Sequence, residues 1–558
     1  MRRVETGTLF AIFRGLSAAM VLSFFVPAPA NGQGQPLLTR HTREAVSSGK
    51  AAWVGRLPAT QSLRLNIALP LRNESDLDEV LQQIYDPRNP SYHQFLSVEE
   101  FTERFGPSQE DYDAVIGFAG ENGLTVTGTA QNRMIVDVTG PVANIERAFH
   151  VNVGVYQHPT EDRTFYAPDQ EPTVDLPFAL WHITGLDNFS IPRPASLWRA
   201  PERRRTATGS GPDGYFIGSD MRAAYYGGTL TGSGQSVGLV EFAGYNVNDV
   251  TNYFTNVGPT LKAAIVGVST DGSSLSCTAG CDDTEQALDI EEVISMAPGL
   301  SQVFVYVSDT SDVSIFNAMA TTKSTNGVLP TSLSCSWGWT PADPTSDDPI
   351  FKEFAAQGQN LFVASGDSGS YNTRSRYVYP AEDAYITSVG GTDLTTASAG
   401  GAWKSETAWR YSGGGISPDK IAIPSWQTAA ITALNKTALN KGSKTYRNSP
   451  DVAAEANTDN FICYDGTCEG GWGGTSFAAP RWAGYLALAN QQSALLGKPS
   501  LGFINPTIYP IGLGASYGTD FHDITIGSNG TYSAQKGYDL VTGWGSPNGS
   551  GLIDSLTQ

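Results

Sequence analysis

The chain has 558 residues, 40% hydrophobic and only 16% charged, which excludes a disordered polymer and leaves room for two or more domains around a large core. Its formal net charge of -20 and sequence pI of about 4.7 argue against nucleic acid and anionic membranes as partners. The low Lys and Arg count also suits life in acid, since few cations remain to repel one another once carboxylates are protonated.

Arg2, Arg3 and Arg14 precede an apolar run from Leu16 to Val26 and the small residues Ala28-Pro29-Ala30, the pattern of a secretory signal over residues 1–32, with an N-terminal anchor as the alternative. No later stretch reaches membrane-spanning length. From Ser62 to Ser190 the texture is α+β. Residues 62–70 alternate like a strand, 73–86 follow with helical spacing, and Pro107-Ser108 with Asp111 opens a second helix. A hairpin turns at Ala130-Gln131-Asn132; residues 141–150 read as a helix and 151–157 as a strand. This order predicts a ferredoxin-like β-α-β-β-α-β prodomain over 33–190.

Residues 191–213 are rich in Pro, Arg, Gly and Ser and read as an exposed linker, with cleavage expected between Arg205 and Gly214. In 214–558, apolar runs at 236–243, 302–308, 331–338, 360–369 and 384–392 alternate with helical segments. That alternation predicts an α/β catalytic domain, a parallel sheet flanked by helices, with functional groups where strands end and helices begin. Of five cysteines, Cys277 and Cys281 are close in sequence, as are Cys463 and Cys468, while Cys335 is left over. Two short-loop disulfides and a buried thiol are expected; zinc is the alternative, disfavoured because acid protonates thiolate ligands.

Ser476, in Gly473-Gly474-Thr475-Ser476-Phe477-Ala478-Ala479-Pro480, stands at the start of a long apolar helix, where N–H groups and the positive dipole end could face an oxyanion. A cap is the competing role. Five of six histidines precede the linker, and only His522 follows it, so a Ser-His-Asp triad has almost nothing to draw on. Glu285 and Asp289 are four apart at the start of a helix and share one face, which an exposed acidic face would also explain. Asp367 lies in Ser365-Gly366-Asp367-Ser368-Gly369 after an apolar strand. It could mark a chymotrypsin-like nucleophile at Ser368, half of an aspartic-peptidase pair, or a partner of Ser476; the first lacks its histidine motif and the second lacks its second copy.

Taken in order, these strings resemble the sedolisins, the serine-carboxyl peptidases. Glu285 and Asp289 match the family's helical pair, Asp367 its strand-end aspartate and Ser476 its nucleophile; Glu241 and Trp337 are similar to positions that extend the carboxylate network. The stretch Pro90–Leu96, with Phe101 and Phe105–Ser108, resembles the family's propeptide. The resemblance implies a subtilisin-like catalytic fold and a secreted, self-activating zymogen that acts on protein or peptide substrates as a monomer and is held by its own propeptide. It implies Ser476 as nucleophile, Glu285 as general base, Asp289 as its orienting partner and protonated Asp367 as oxyanion donor, with an optimum of roughly pH 3–5 from carboxyl pKa values near ~4. It also implies one calcium ion held by Asp523, Asp539 and the carbonyls of Ile524, Gln535 and Gly537, although Gln535-Lys536 depart from the usual Gly-Pro. Alternatives are a tripeptidyl-peptidase of the same family, a subtilisin-type enzyme using His522, and an inactive binding protein on the same fold.

Overall fold

The structure is a computed structural model that describes residues 34–195, 198–199, 208–277, 281–341, 344–372, 377–434 and 440–558. The expected signal over 1–32 and the Arg203–Arg205 run lie outside these residues.

The N-terminal unit is built on a four-stranded antiparallel sheet in the order Thr125–Thr129, Ile135–Pro141, Ser62–Ala68, His182–Thr184. Alternation in Ser62–Ala68 places Leu63, Leu65 and Ile67 in the core with Val136 and Val138. Helices Glu74–Ile84, Val98–Arg104 and Gln109–Glu121 follow the first strand, and Val142–Phe149 follows the hairpin. Ser97 and Glu100 form a reciprocal cap, and Ser108 Oγ accepts from Asp111 N at 3.0 Å. This is the ferredoxin-like strand order, with one change. Residues Val153–Gln157 do form a strand, but in a separate sheet between Trp53–Arg56 and Thr164–Pro168; the fourth place is taken by His182–Thr184. Three residues of strand give too short an alternation to read in advance.

The C-terminal unit carries an eight-stranded sheet. Ala264–Ser269, Gln302–Val307, Ser236–Glu241, Ser332–Cys335, Asn360–Ala364 and Thr387–Thr396 run parallel in that order. Val452–Glu455 pairs parallel with Thr387–Thr396, and Trp403–Ala408 adds antiparallel to it. The strands are near-continuous apolar runs because helices cover the sheet. Two of those helices matter most: Thr284–Met296, every residue of which is buried, and Thr475–Leu495. They pack so closely that a Cβ on Gly484 would sit 2.7 Å from Met296 Cβ, so glycine is required there. Cys277–Cys281 and Cys463–Cys468 are disulfides and Cys335 is a buried thiol, the expected arrangement.

The two units meet over a polar and aromatic surface. Asn132 Nδ2 donates to Glu353 Oε2 at 2.8 Å and to Asn317 Oδ1 at 2.7 Å, Lys352 pairs with Asp78 at 2.8 Å, and Tyr85 Oη donates to Ala355 O at 2.7 Å.

Candidate active site

The ends of three parallel strands and the starts of two helices converge on Ser476. Glu241 is the last residue of its strand, Ser336 and Trp337 follow Cys335, and Asp367 follows Ala364 across Gly366, whose φ of +98° favours glycine. Glu285 and Asp289 project from successive turns of the Thr284–Met296 helix. Ser476 is the second residue of its helix and is fully buried.

The contacts form a chain. The Ser476 hydroxyl bears on Glu285, offsetting part of the burial that lifts the Glu285 pKa well above the ordinary range. Glu285 and Asp289 repel as neighbouring carboxylates, and Asp289 hydrogen-bonds Glu241. Ser336 Oγ donates to Asp289 Oδ1 at 2.7 Å, and Trp337 Nε1 donates to Glu241 Oε2 at 3.0 Å. Burial is the first cause of the raised pKa at Glu285, Asp289 and Glu241 alike. Both oxygens of Glu285, Oδ2 of Asp289 and Oε1 of Glu241 are buried without a donor from any neighbouring N–H or hydroxyl in good geometry. A bare carboxylate there would be costly; protons held between the carboxyls satisfy the same oxygens at no such cost.

Asp367 lies on the other side of the nucleophile. Its Oδ1 accepts from Thr475 N at 2.8 Å and Thr475 Oγ1 at 2.7 Å, and burial holds its pKa well up despite them. Asp367 also raises Glu285 through space, and its hydrogen bonds to Thr475 place it beside the residue that precedes Ser476. Ser368, the rival nucleophile, is exposed, unlike the buried carboxyl cluster. His522 stacks flat on Trp403, centroids 3.9 Å apart, and takes no part.

Three participants are not evident from sequence patterns. Ser336 bridges both halves: its Oγ serves Asp289, while its carbonyl lies 3.5 Å from Ser476 Oγ. Thr475 fixes Asp367. Arg481, buried on the nucleophile helix, donates to Glu292 Oε2 at 2.7 Å, Glu455 O at 2.7 Å and Asn460 Oδ1 at 2.8 Å, tying that helix to the carboxylate helix.

The linker crosses this site. Arg193 and Pro194 pair antiparallel with Gly338 and Trp337, Ala195 N donates to Ser336 O at 2.9 Å, and the backbone of Trp198 and Arg199 pairs antiparallel with Gly473 and Trp472.

Near the C-terminus, Asp523 Oδ1 accepts from Tyr517 Oη at 3.0 Å and Gly537 N at 3.1 Å, while Asp539 accepts from Gln535 N at 2.8 Å and Val541 N at 2.9 Å. Both carboxylates thus border one loop, 535–539. Among the described residues no three His, Cys, Asp or Glu side chains converge as a metal site, so a cation here would need the carbonyls of Ile524, Gln535 and Gly537. Carboxylates plus carbonyls are a hard-oxygen donor set that fits calcium.

Residues 50–189 match the Pro-kumamolisin activation domain and 243–497 the Subtilase family. The chain is 30% identical to kumamolisin of Bacillus sp. (strain MN-32), over 90% of this chain and 93% of that protein. It is 27% identical to tripeptidyl-peptidase 1 of Mus musculus, over 90% and 93%. A solved structure of Pseudomonas sedolisin, a serine-carboxyl proteinase complexed with two molecules of pseudo-iodotyrostatin, superposes with a TM-score of 0.52 at 26% identity, covering 63% of this chain and 98% of that one.

Proposed function

The chain belongs to the sedolisin family of serine-carboxyl peptidases and is a hydrolase with an activation propeptide, and from that premise we propose that it is a secreted, acid-acting endopeptidase whose nucleophile is Ser476. The observation that carries this reading is the buried chain Ser476–Glu285–Asp289–Glu241, whose carboxyls burial pushes well above their ordinary pKa range, so that they share protons in acid.

In this reading Ser476 attacks the scissile carbonyl while Glu285 accepts its proton, then returns it to the leaving amine. Asp289 holds Glu285 in place, and Glu241, anchored by Trp337, holds Asp289. Asp367 keeps one oxygen on Thr475 and, when protonated, can donate from the other to the developing oxyanion. Ionising Asp367 removes that donor, so turnover falls as pH rises. The test is peptide hydrolysis by the activated enzyme across the pH range, with Ser476→Ala as control. Activity confined to acid and lost in the variant is expected; dominant activity in mild alkali would sink the carboxylate mechanism.

Tripeptidyl-peptidase action is the second reading of the same site. The tripeptidyl-peptidase relatives support the second reading. A peptide with a blocked N-terminus separates them: an endopeptidase cleaves it, a tripeptidyl-peptidase does not. Secretion rests on the charged-apolar-small pattern of residues 1–32 and is tested by N-terminal sequencing of exported protein. Calcium at Asp523 and Asp539 would tie the 535–539 loop to the body. Chelation should lower the thermal midpoint, and an unchanged midpoint would exclude a structural ion.

A further inference from the structure

Arg64 reaches from the activation domain into a polar pocket of the catalytic unit. Its Nη1 lies 3.3 Å from Asp271 Oδ2 and donates to Ser273 Oγ at 3.2 Å, while its Nη2 donates to Asp309 Oδ1. Asp271 follows the strand Ala264–Ser269 and Asp309 follows its neighbour Gln302–Val307, so both stand on the sheet edge that carries Glu241 and Asp367. Ser308 joins this pocket to the catalytic network: its Oγ donates to Asp271 Oδ2 at 2.7 Å and its N–H donates to Glu241 O at 3.2 Å. Asp271 also accepts from Thr310 Oγ1 at 2.7 Å, Ser273 N at 3.0 Å and Ser273 Oγ at 2.5 Å. Burial would raise the Asp271 carboxyl, but these donors outweigh it and hold its pKa below the ordinary range, the reverse of the catalytic carboxyls. All of them belong to the catalytic unit. Asp271 therefore keeps its charge in acid when the activation domain, residues 50–189, leaves and takes Arg64 with it. Residues 190–195 show how a chain approaches the nucleophile beside this pocket. Ser190 Oγ donates to Thr340 O at 2.6 Å, Arg193 pairs with Gly338, and Ala195 N–H meets Ser336 O, itself 3.5 Å from Ser476 Oγ. Pro192 and Thr310 line one cavity with Trp339, so the pocket borders the path on the acyl side.

We infer that the Asp271–Asp309 pocket is a substrate subsite of the mature enzyme, taking an arginine side chain about four residues before the scissile bond, at about 3.3 Å per extended residue, and that Arg64 fills it in the precursor. This rests on the endopeptidase reading above. A guanidinium is the group that fits. Its planar fork meets carboxylates on two adjacent strand ends and the Ser273 hydroxyl between them, as Arg64 does, which a single ammonium would not span. The contact stays charge-assisted in acid, because arginine never loses its proton and Asp271 is held ionised by its hydroxyl donors. The pocket takes no part in bond breaking; it holds the acyl-side chain in register with Ser476. A neutral side chain of the same shape would leave Asp271 buried and facing no cation, so the subsite discriminates by charge rather than by size.

The experiment is competitive hydrolysis by the activated enzyme at mildly acid pH. The substrates are N-acetylated peptides identical except at one position, moved from the second to the sixth residue before the scissile bond, which carries either arginine or its neutral isostere citrulline. Each pair competes in one tube, so the ratio of their kcat/KM does not depend on how much enzyme is active. An advantage of about fivefold for arginine is expected at one position from the third to the fifth, the size of a partly exposed charge pair. In the Asp271→Asn, Asp309→Asn double variant the advantage at that position should vanish. Asp309→Asn alone changes a side chain that is 55% exposed and should at least halve it, so the decision does not depend on how the buried Asp271→Asn change folds. No arginine advantage at any of those positions, or one that survives Asp309→Asn undiminished, would overturn the inference. If the acetylated peptides are cut without preference, only the subsite fails; if none of them is cut, the endopeptidase reading fails and the subsite falls with it.

Discussion

The two units bury opposite kinds of titratable group. The N-terminal unit buries histidines, two of them as hydrogen-bond acceptors. His41 Nε2 accepts from Ile183 N at 3.0 Å, and His158 Nδ1 accepts from Glu161 N at 3.0 Å. His182 stacks on His41 with centroids 4.4 Å apart, and burial, with Arg43 nearby, depresses its pKa to about 3. The C-terminal unit buries carboxyls: besides the catalytic cluster, burial lifts Glu353 and Glu382 to about 8 and raises Glu291, Glu406 and Glu455. The division has exceptions in Asp137, which is raised, and His522, which is lowered to about 4. Its consequence follows from proton linkage. A histidine depressed from 6.5 to about 3 stabilises its fold above pH 6.5 and loses that contribution as pH falls toward 3. A carboxyl raised from 4.5 to about 8 stabilises below pH 4.5 and loses it as pH rises toward 8. Acid therefore weakens the inhibitor and strengthens the enzyme.

The largest effect falls on the carboxyl side. Glu285→Gln keeps the shape but can neither accept a proton nor ionise, so turnover should fall by about 10²–10⁴. The same change removes a buried titrating group, so the loss of thermal stability between pH 5 and pH 8 should shrink. A variant that keeps its activity would break the carboxylate half of the comparison. Asp367→Ala should follow, with turnover reduced by about 10²–10³ through loss of one donor; it also frees Thr475, so substrate affinity and turnover should be measured separately.

How much of this was legible in the sequence depends on the length scale. The Glu285/Asp289 spacing, the Gly-rich run before Ser476 and the strand-end Asp367 are local strings, and the parallel sheet follows from five apolar runs in series. The partners of those residues are not local. Ser336 reaches Asp289 across 47 positions, and Glu292 meets Arg481 across 189. Nothing in the spelling of either segment specifies that meeting; it arises from the crossing of two buried helices where Gly484 has no side chain. The same holds for residues 153–157, whose alternation revealed a strand but not which sheet it would join, since pairing is decided by Trp53–Arg56 nearly a hundred residues earlier. Composition marked the linker as exposed, yet Ala195 is buried, because its backbone register against Trp337 and Gly338 is set by segments far away in sequence.

A smaller effect is expected where the two units touch. Glu353 is buried beneath Asn132, with Gln357 Nε2 donating to its other oxygen at 2.7 Å. Glu353→Gln retains those contacts if the Gln357 amide turns over, but does not titrate. In a Ser476→Ala precursor, which cannot process itself, the midpoint should then fall less between pH 5 and pH 8 than it does with Glu353 present. An unchanged fall would mean that Glu353 does not ionise over this range.

The smallest and most selective effect tests the histidine side. The Thr39 hydroxyl donates to Trp181 O at 2.8 Å, so the 2.7 Å contact between Thr39 Oγ1 and His182 Nδ1 requires a proton on Nδ1. His41 needs the opposite arrangement, a bare Nε2 to receive Ile183 N–H. Protonating His41 therefore turns an acceptor into a donor facing a donor, against a stacked second imidazole. The charged groups around the pair are Arg40 and Glu171, 3.9 Å apart, and Arg43 and Asp187, 3.0 Å apart. The second pair leaves Arg43 committed, whereas Glu171, which accepts from His41 N and Thr42 N, has Oε2 4.0 Å from His41 Nδ1 and would offset part of a new imidazolium charge. His41→Gln offers an amide oxygen to Ile183 N–H at every pH. It should leave the precursor's midpoint at pH 7 slightly lowered by loss of the stack, flatten its fall in acid, and move the onset of self-processing toward lower pH. If processing begins at the same pH in this variant, the inhibitor is not released through its histidines, and the acid requirement belongs to the carboxyls of the enzyme alone.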